Sequence, residues 1–158
     1  MSELERALYR AAVLTFEELA FALPMPEPAG RPLEGPTVRA RVAFRGPFAG
    51  QVVVAVADGM LPVLAANMLG EEAPPPRPEQ EDALGELANV VCGNVLPAVA
   101  GRERVFHLDA PAPLPPGSDP ARPGERLLVS VVLPLDEGAA RVSLFGDAEC
   151  AAALGASG

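Results

Sequence analysis

The sequence is poor in the residues that most active sites are built from. It has no tryptophan, one tyrosine, one histidine and two cysteines, and aromatic residues make up only 4% of it. Its core must therefore be assembled from Val, Leu and Ala, which the apolar fraction of 49% supplies in quantity. Cys92 and Cys150 are far apart, with no cluster of ligands around either. They read as buried free thiols and not as a disulfide or a metal centre. His107 falls in an expected strand without Asp, Ser or Cys in a recognisable arrangement around it, so it reads as a surface or satisfied histidine. No His/Cys/Asp cluster suggests a bound metal.

Positive charge is scarce as well. Twelve basic residues stand against 21 acidic ones, giving a net charge of −9 and a pI of about 4.6, which argues against nucleic acid or an anionic membrane surface as partner. No glycine-rich phosphate loop exists, because Gly85 and Gly93 are too far apart and fall inside a helical pattern. Met1-Ser-Glu-Leu-Glu is acidic where a signal peptide would be basic. No apolar run approaches the roughly 20 residues of a membrane span, so a cytoplasmic location is expected.

Proline is what the chain has in plenty. Its 19 prolines concentrate in three connectors, 24–36, 71–78 and 111–124, and punctuate the elements between them. A chain of this length is expected to form one domain, 1–158, with a core of its own. The first helix runs from Ser2 to Phe21, with Ser2 as its cap and Glu3 and Glu5 at its positive end. Alternation from Thr37 to Phe44 and an apolar run from Gln51 to Ala57 make an antiparallel hairpin, leaving Arg39, Arg41 and Arg45 on an exposed sheet face or edge. Asp58 is expected to cap a helix from about Gly59 to Met68, closed by Gly70. Arg104–Ala110 reads as a strand. Arg126–Leu135 and Ala139–Phe145 form a second hairpin, and the end of the chain forms a short helix or frays. Hairpins with helices between them indicate an α+β fold, an antiparallel sheet with helices packed on it, and a helix-plus-hairpin unit that occurs twice as a weak internal pseudo-repeat.

The most informative stretch is a helix over about 79–101. Stepping about 100° per residue, Leu84, Leu87, Ala88, Val91, Val95, Ala98 and Val99 share one broad side. Asp82, Glu86, Asn89 and Gly93 share the opposite side, within roughly 60° of one another. A face that needed only solvation would more cheaply carry Lys, Arg, Gln or Ala than Asn or Gly. Gly85 and Gly93 each sacrifice roughly 1 kcal/mol against alanine, which suggests close approach by another surface, within the fold or from a partner. Pro97, late in the helix, implies a kink or a tightened last turn.

The string Asp82-Ala-Leu-Gly85-Glu86-Leu-Ala-Asn89-Val-Val-Cys-Gly93-Asn94 resembles the signature helix of the CheC/CheX/FliY chemotaxis phosphatases: a Glu and an Asn three residues apart, followed by a helical glycine. The family's layout, helices on an antiparallel sheet with a pseudo-repeat, resembles that of nearly the whole chain. In the first helix Glu18 is followed three residues later by Phe21 and not by Asn, so the chain is similar to the CheX type with one signature, not to the CheC type with two.

The resemblance implies a phosphatase that dephosphorylates the aspartyl phosphate of a CheY-type response regulator in chemotaxis or a related two-component pathway. It assigns Asn89 to orienting the attacking water and Glu86 to pairing with a lysine of the partner. Asp82, Gly93 and Asn94 become candidate partner contacts. No cofactor is expected on this chain; Mg2+ would belong to the phosphorylated partner. A homodimer is implied, as in CheX-type members, and exposed strand edges would need covering in any case. The rival expectation is a non-catalytic module of the same fold that binds a receiver domain or an array component.

Overall fold

The computed structural model describes residues 1–23, 33 and 35–156. Most of the expected connector 24–36 lies outside the described residues. The first helix, α1 (Glu3–Ala20), begins on a reciprocal cap: Glu5 N–H donates to Ser2 Oγ at 3.1 Å, and Ser2 N–H donates to Glu5 Oε1 at 3.2 Å. Two of the orphan donors of the first turn are satisfied in this way. The Ser2 backbone and hydroxyl bonds hold the Glu5 carboxyl below its usual range.

The expected hairpins form. Strand β1 (Thr37–Arg45) pairs antiparallel with β2 (Gly50–Ala57), and β5 (Arg126–Leu135) with β6 (Gly138–Gly146). They join through β2 and β6, and with the short strands β3 (His107–Leu108) and β4 (Ala112–Leu114) the order is β3-β1-β2-β6-β5, with β4 also on β1. Helix α3 (Arg77–Ala100) lies over β1 and β2, and α1 lies beside it over β5. The two helices run antiparallel, because the first turns of α1 line the same hollow as Ala98 and Val99 at the end of α3. Short α2 (Leu61–Leu69) packs against both helices, and α4 (Ala148–Leu154) follows β6. Leu8, Phe16, Val42, Val52, Val54, Leu87, Val91, Leu133, Val142 and Leu144 form the sealed interior between helices and sheet.

Three expectations need correction. Asp58 does not cap α2. Asp58–Met60 forms a 3-10 turn before the helix, no side chain caps α2, and the Asp58 carboxylate instead accepts from Arg77 Nη2 at 2.7 Å. The strand expected over Arg104–Ala110 shrinks to β3 (His107–Leu108), and a further strand, β4 (Ala112–Leu114), lies inside the expected connector 111–124. Pro111 separates the two, and Pro113 is tolerated opposite Ala40 because β4 is an edge strand that can spare an N–H.

The third correction concerns the face of the sheet away from the helices. The chain must pass from β4 at one edge to β5 at the other, and residues 115–125 cross that face. Arg39 Nη2 donates to Pro115 O at 2.7 Å and to Ser118 Oγ at 3.0 Å, and Gln51 Nε2 donates to Pro120 O at 2.6 Å and to Glu125 Oε1 at 2.8 Å. Val53, Leu114 and Phe145 close over Ala121 beneath the crossing. Arg39 is half-buried under this crossing, Arg41 is half-buried too, and of the three only Arg45 is exposed, 3.9 Å from Asp109.

Candidate functional site

Helix α3 is held on more than one side. Leu84, Leu87, Ala88, Val91 and Val95 are buried as their spacing predicts, but Ala83, Cys92 and Leu96 are buried too, because α1 and α2 flank the helix while the sheet lies beneath it. Ala98, expected on the core side, is exposed near the end of the helix. By length and composition alone α3 could cross a membrane, but half of its most apolar window is buried in this fold. Burial keeps the Cys92 thiol protonated, its pKa pushed up to about 12.

Against this buried background, Asp82, Glu86, Asn89 and Gly93 are all exposed. They follow one another up the outer side of α3 at the spacing of successive turns. No hydrogen bond or ion pair engages the side chains of Asp82, Glu86 or Asn89 among the described residues. Glu86 and Asn89 therefore present a free carboxylate and a free amide, side by side, on a helix whose other faces are locked by packing. Rigid elements of this kind hold functional groups more closely than loops do.

The two glycines separate. A Cβ at Gly85 would lie 3.3 Å from Pro111 Cβ and 3.4 Å from Pro111 Cγ, so that glycine admits the β3–β4 segment onto the helix. A Cβ at Gly93 would have nothing within 4 Å. The close approach that Gly85 permits is internal, whereas nothing within the fold uses the bare surface at Gly93.

Asn94 does not share the line. It is half-buried and its Nδ2 donates to Thr15 Oγ1 of α1 at 2.8 Å, while Thr15 itself donates to Ala11 O at 2.8 Å. Its amide is spent tying α3 to α1, and it is set aside as a partner contact for that reason.

Sequence reasoning missed two participants. Arg77 in the first turn of α3 bridges Asp58 and Glu81 at 2.7 and 3.1 Å, both partly exposed pairs, and these carboxylates hold its guanidinium more firmly protonated. Pro97 is exposed one turn beyond Gly93 and continues the outer line. Its spacing of four from Gly93 was the available signal. On α1, Glu18 is exposed but the helix ends at Ala20; Phe21 is its left-handed C-cap (φ 54) and is 70% exposed. Phe21 thus lies beyond the last helical residue and not where Asn89 lies in α3.

A cavity of about 740 Å³ opens beside Asp82, between α3, the start of β1 and the β4 loop. The cations that line it are already engaged, Arg77 by Asp58 and Glu81 and Arg39 by Pro115 and Ser118. Among the described residues there is no group of three or more His, Cys, Asp or Glu side chains placed to hold a metal ion.

The model of the family described as "Chemotaxis phosphatase CheX" matches residues 38–116, half of the chain and including the whole line from Asp82 to Pro97. The chain belongs to the CheX family. Solved structures agree in fold. A chemotaxis protein CheX from Desulfovibrio desulfuricans is 16% identical, with a TM-score of 0.63 over 90% of this chain and 98% of the other. One described as a putative chemotaxis protein from Desulfovibrio vulgaris Hildenborough is 19% identical, with a TM-score of 0.68 over 91% and 97%. A chain of a CheX-CheY-BeF3-Mg complex from Borrelia burgdorferi is 16% identical, with a TM-score of 0.61 over 90% and 97%. No curated protein matches the sequence.

Proposed function

We propose that this CheX-family chain hydrolyses the aspartyl phosphate of a CheY-type receiver domain, using Asn89 to position the water and Glu86 to anchor the partner. The observation that carries the reading is the free, exposed Glu86–Asn89 pair on a buried helix within the segment that matches the phosphatase family. The partner follows from the Borrelia burgdorferi relative, which is a complex with CheY.

The chemistry suits these groups. An acyl phosphate is already activated, so catalysis consists mainly of placing water in line with the phosphorus and stabilising charge on the phosphoryl oxygens. The Asn89 carboxamide can accept a hydrogen bond from the water through its oxygen and donate through its NH₂, and it takes no proton from either. Water oxygen then bonds to phosphorus as the acyl oxygen leaves, freeing the receiver's aspartate and inorganic phosphate, with the water's protons passing to phosphate and solvent. Glu86 supplies a charge-assisted bond to a lysine of the receiver. Magnesium, where required, is held by the receiver. The reading carries a cytoplasmic location with it, and a homodimer would cover the free outer edge of β5.

The test is phosphate release from a phosphorylated receiver domain encoded beside this chain, with magnesium present. Wild type is expected to accelerate release, and Asn89→Ala to abolish the acceleration while still binding; Glu86→Ala is expected to lose affinity. Equal, unaccelerated decay with several receivers would leave the non-catalytic binding module as the function.

A further inference from the structure

Pro97 has no N–H, so the carbonyl of Gly93, four residues earlier, lacks its ordinary helical donor. The helix does not end there. It runs on to Ala100, and Gly101 N–H donates to Pro97 O at 3.0 Å. The missing N–H does not stop the helix. Gly93 and Pro97 are both exposed, and apart from the adjoining backbone of the helix itself nothing lies within 4 Å of the position a Gly93 side chain would take. An acceptor without its donor therefore coincides with the one place on the outer line where no side chain covers the backbone. Solvent-side carbonyls already tilt outward in a packed helix, and the proline ring displaces this one further.

Positions 82, 86, 89, 93 and 97 lie within roughly 80° of one another around the helix. The Gly93 carbonyl stands one turn, about 6 Å, along the axis from Asn89. Resting on the phosphatase reading above, we propose that the Gly93 carbonyl, left without its helical donor by Pro97, is a docking acceptor that takes an N–H of the receiver domain next to its phosphorylated site. Glu86, Asn89 and Gly93 O then form three successive polar contacts along one helix. The helix accepts a stability cost at Gly93 and Pro97 that α3 could have avoided with alanine at both positions.

Gly93-Asn94 is the single Gly–Asn step in the sequence. Protein labelled with carbonyl-13C glycine and 15N asparagine therefore gives one correlation, through the Asn94 amide, that reports the Gly93 carbonyl alone. On titration with a magnesium- and beryllofluoride-loaded receiver, that carbonyl resonance is expected to move downfield, as it does on accepting a stronger hydrogen bond. Pro97→Ala, which restores the helical donor, is expected to weaken receiver binding about three- to tenfold, the range of one ordinary hydrogen bond. Its melting temperature should be at or above that of wild type, so that the lost affinity is not a loss of folding. A receiver that binds and is dephosphorylated without moving the Gly93 resonance, or with full affinity for Pro97→Ala, overturns this inference and leaves the phosphatase reading standing. Absence of both binding and acceleration by wild type overturns the two together.

Discussion

Asn94 of α3 donates its side-chain N–H to the hydroxyl of Thr15 in α1 at 2.8 Å, joining the two main helices across 79 residues of sequence. Thr15 is 1% exposed and its own O–H donates to Ala11 O, so the bond lies in a place where an unpaired group is expensive. Asn94→Ala and Thr15→Ala are each expected to lower unfolding free energy by about 1–2 kcal/mol. The double variant should cost less than the sum. Urea denaturation of the four proteins measures this, and a near-zero effect at both positions would show that the bond does not hold the helices together.

The two helical glycines should answer differently to alanine. Gly93→Ala meets open space and is expected to raise stability by about 1 kcal/mol. At Gly85 the added carbon would press on Pro111 at 3.3 Å, which offsets the propensity gain and displaces the β3–β4 segment. Paired melting curves decide the matter: stabilisation at Gly93 without comparable stabilisation at Gly85 is the expected result. The stabilised Gly93 variant should also bind a receiver less well.

Asp58 and Arg77 form a pair whose side chains are each 44% exposed. Asp58→Ala and Arg77→Ala are expected to cost under about 1 kcal/mol each, and less as salt is added. A helix cap would behave otherwise, because its loss is weakly dependent on salt and independent of Arg77. A double-mutant cycle in low and high salt separates the two.

Burial raises the pKa of the Cys92 thiol from its ordinary value near 9 to about 12, and that of Cys150 likewise, with Asp147 and Glu125 adding to the effect of burial. An unfolded chain therefore releases these thiol protons before the folded one does. These two thiols leave stability unchanged below pH 9 and lower it as pH rises from about 9 towards 12, because in that window the folded state binds more protons. Denaturation midpoints measured across this range should decline. Cys92→Ala, though destabilised throughout by the void it leaves, should show a shallower decline.

Much of this architecture is written locally. The capping box at Ser2 and Glu5, both hairpins, the closure of α2 at Gly70 and the outer line of α3 all follow from neighbours within a few residues, which set backbone preference and the period of apolar positions. The misreadings share one physical cause. Asp58 looks like a cap because an acidic residue before a helix usually finds the nearest free N–H, and here Arg77, 19 residues away, is the stronger attraction. Arg39 reads as a surface residue because its strand alternates, yet a loop from residues 115–125 lies across that face. Pro113 looks like loop because proline rarely enters a sheet, and an edge position removes the objection.

By itself the sequence determined that α3 would be a helix with an apolar side and an outer line of Asp82, Glu86, Asn89 and Gly93, since periodicity alone places those side chains. Only the tertiary structure decided which polar groups remain free to act. It consumed Asn94 on Thr15, gave Gly85 to Pro111, and left Glu86, Asn89 and Gly93 uncovered. The physical reason is that helical spacing sets the direction of a side chain, whereas its availability depends on what distant segments bring against it.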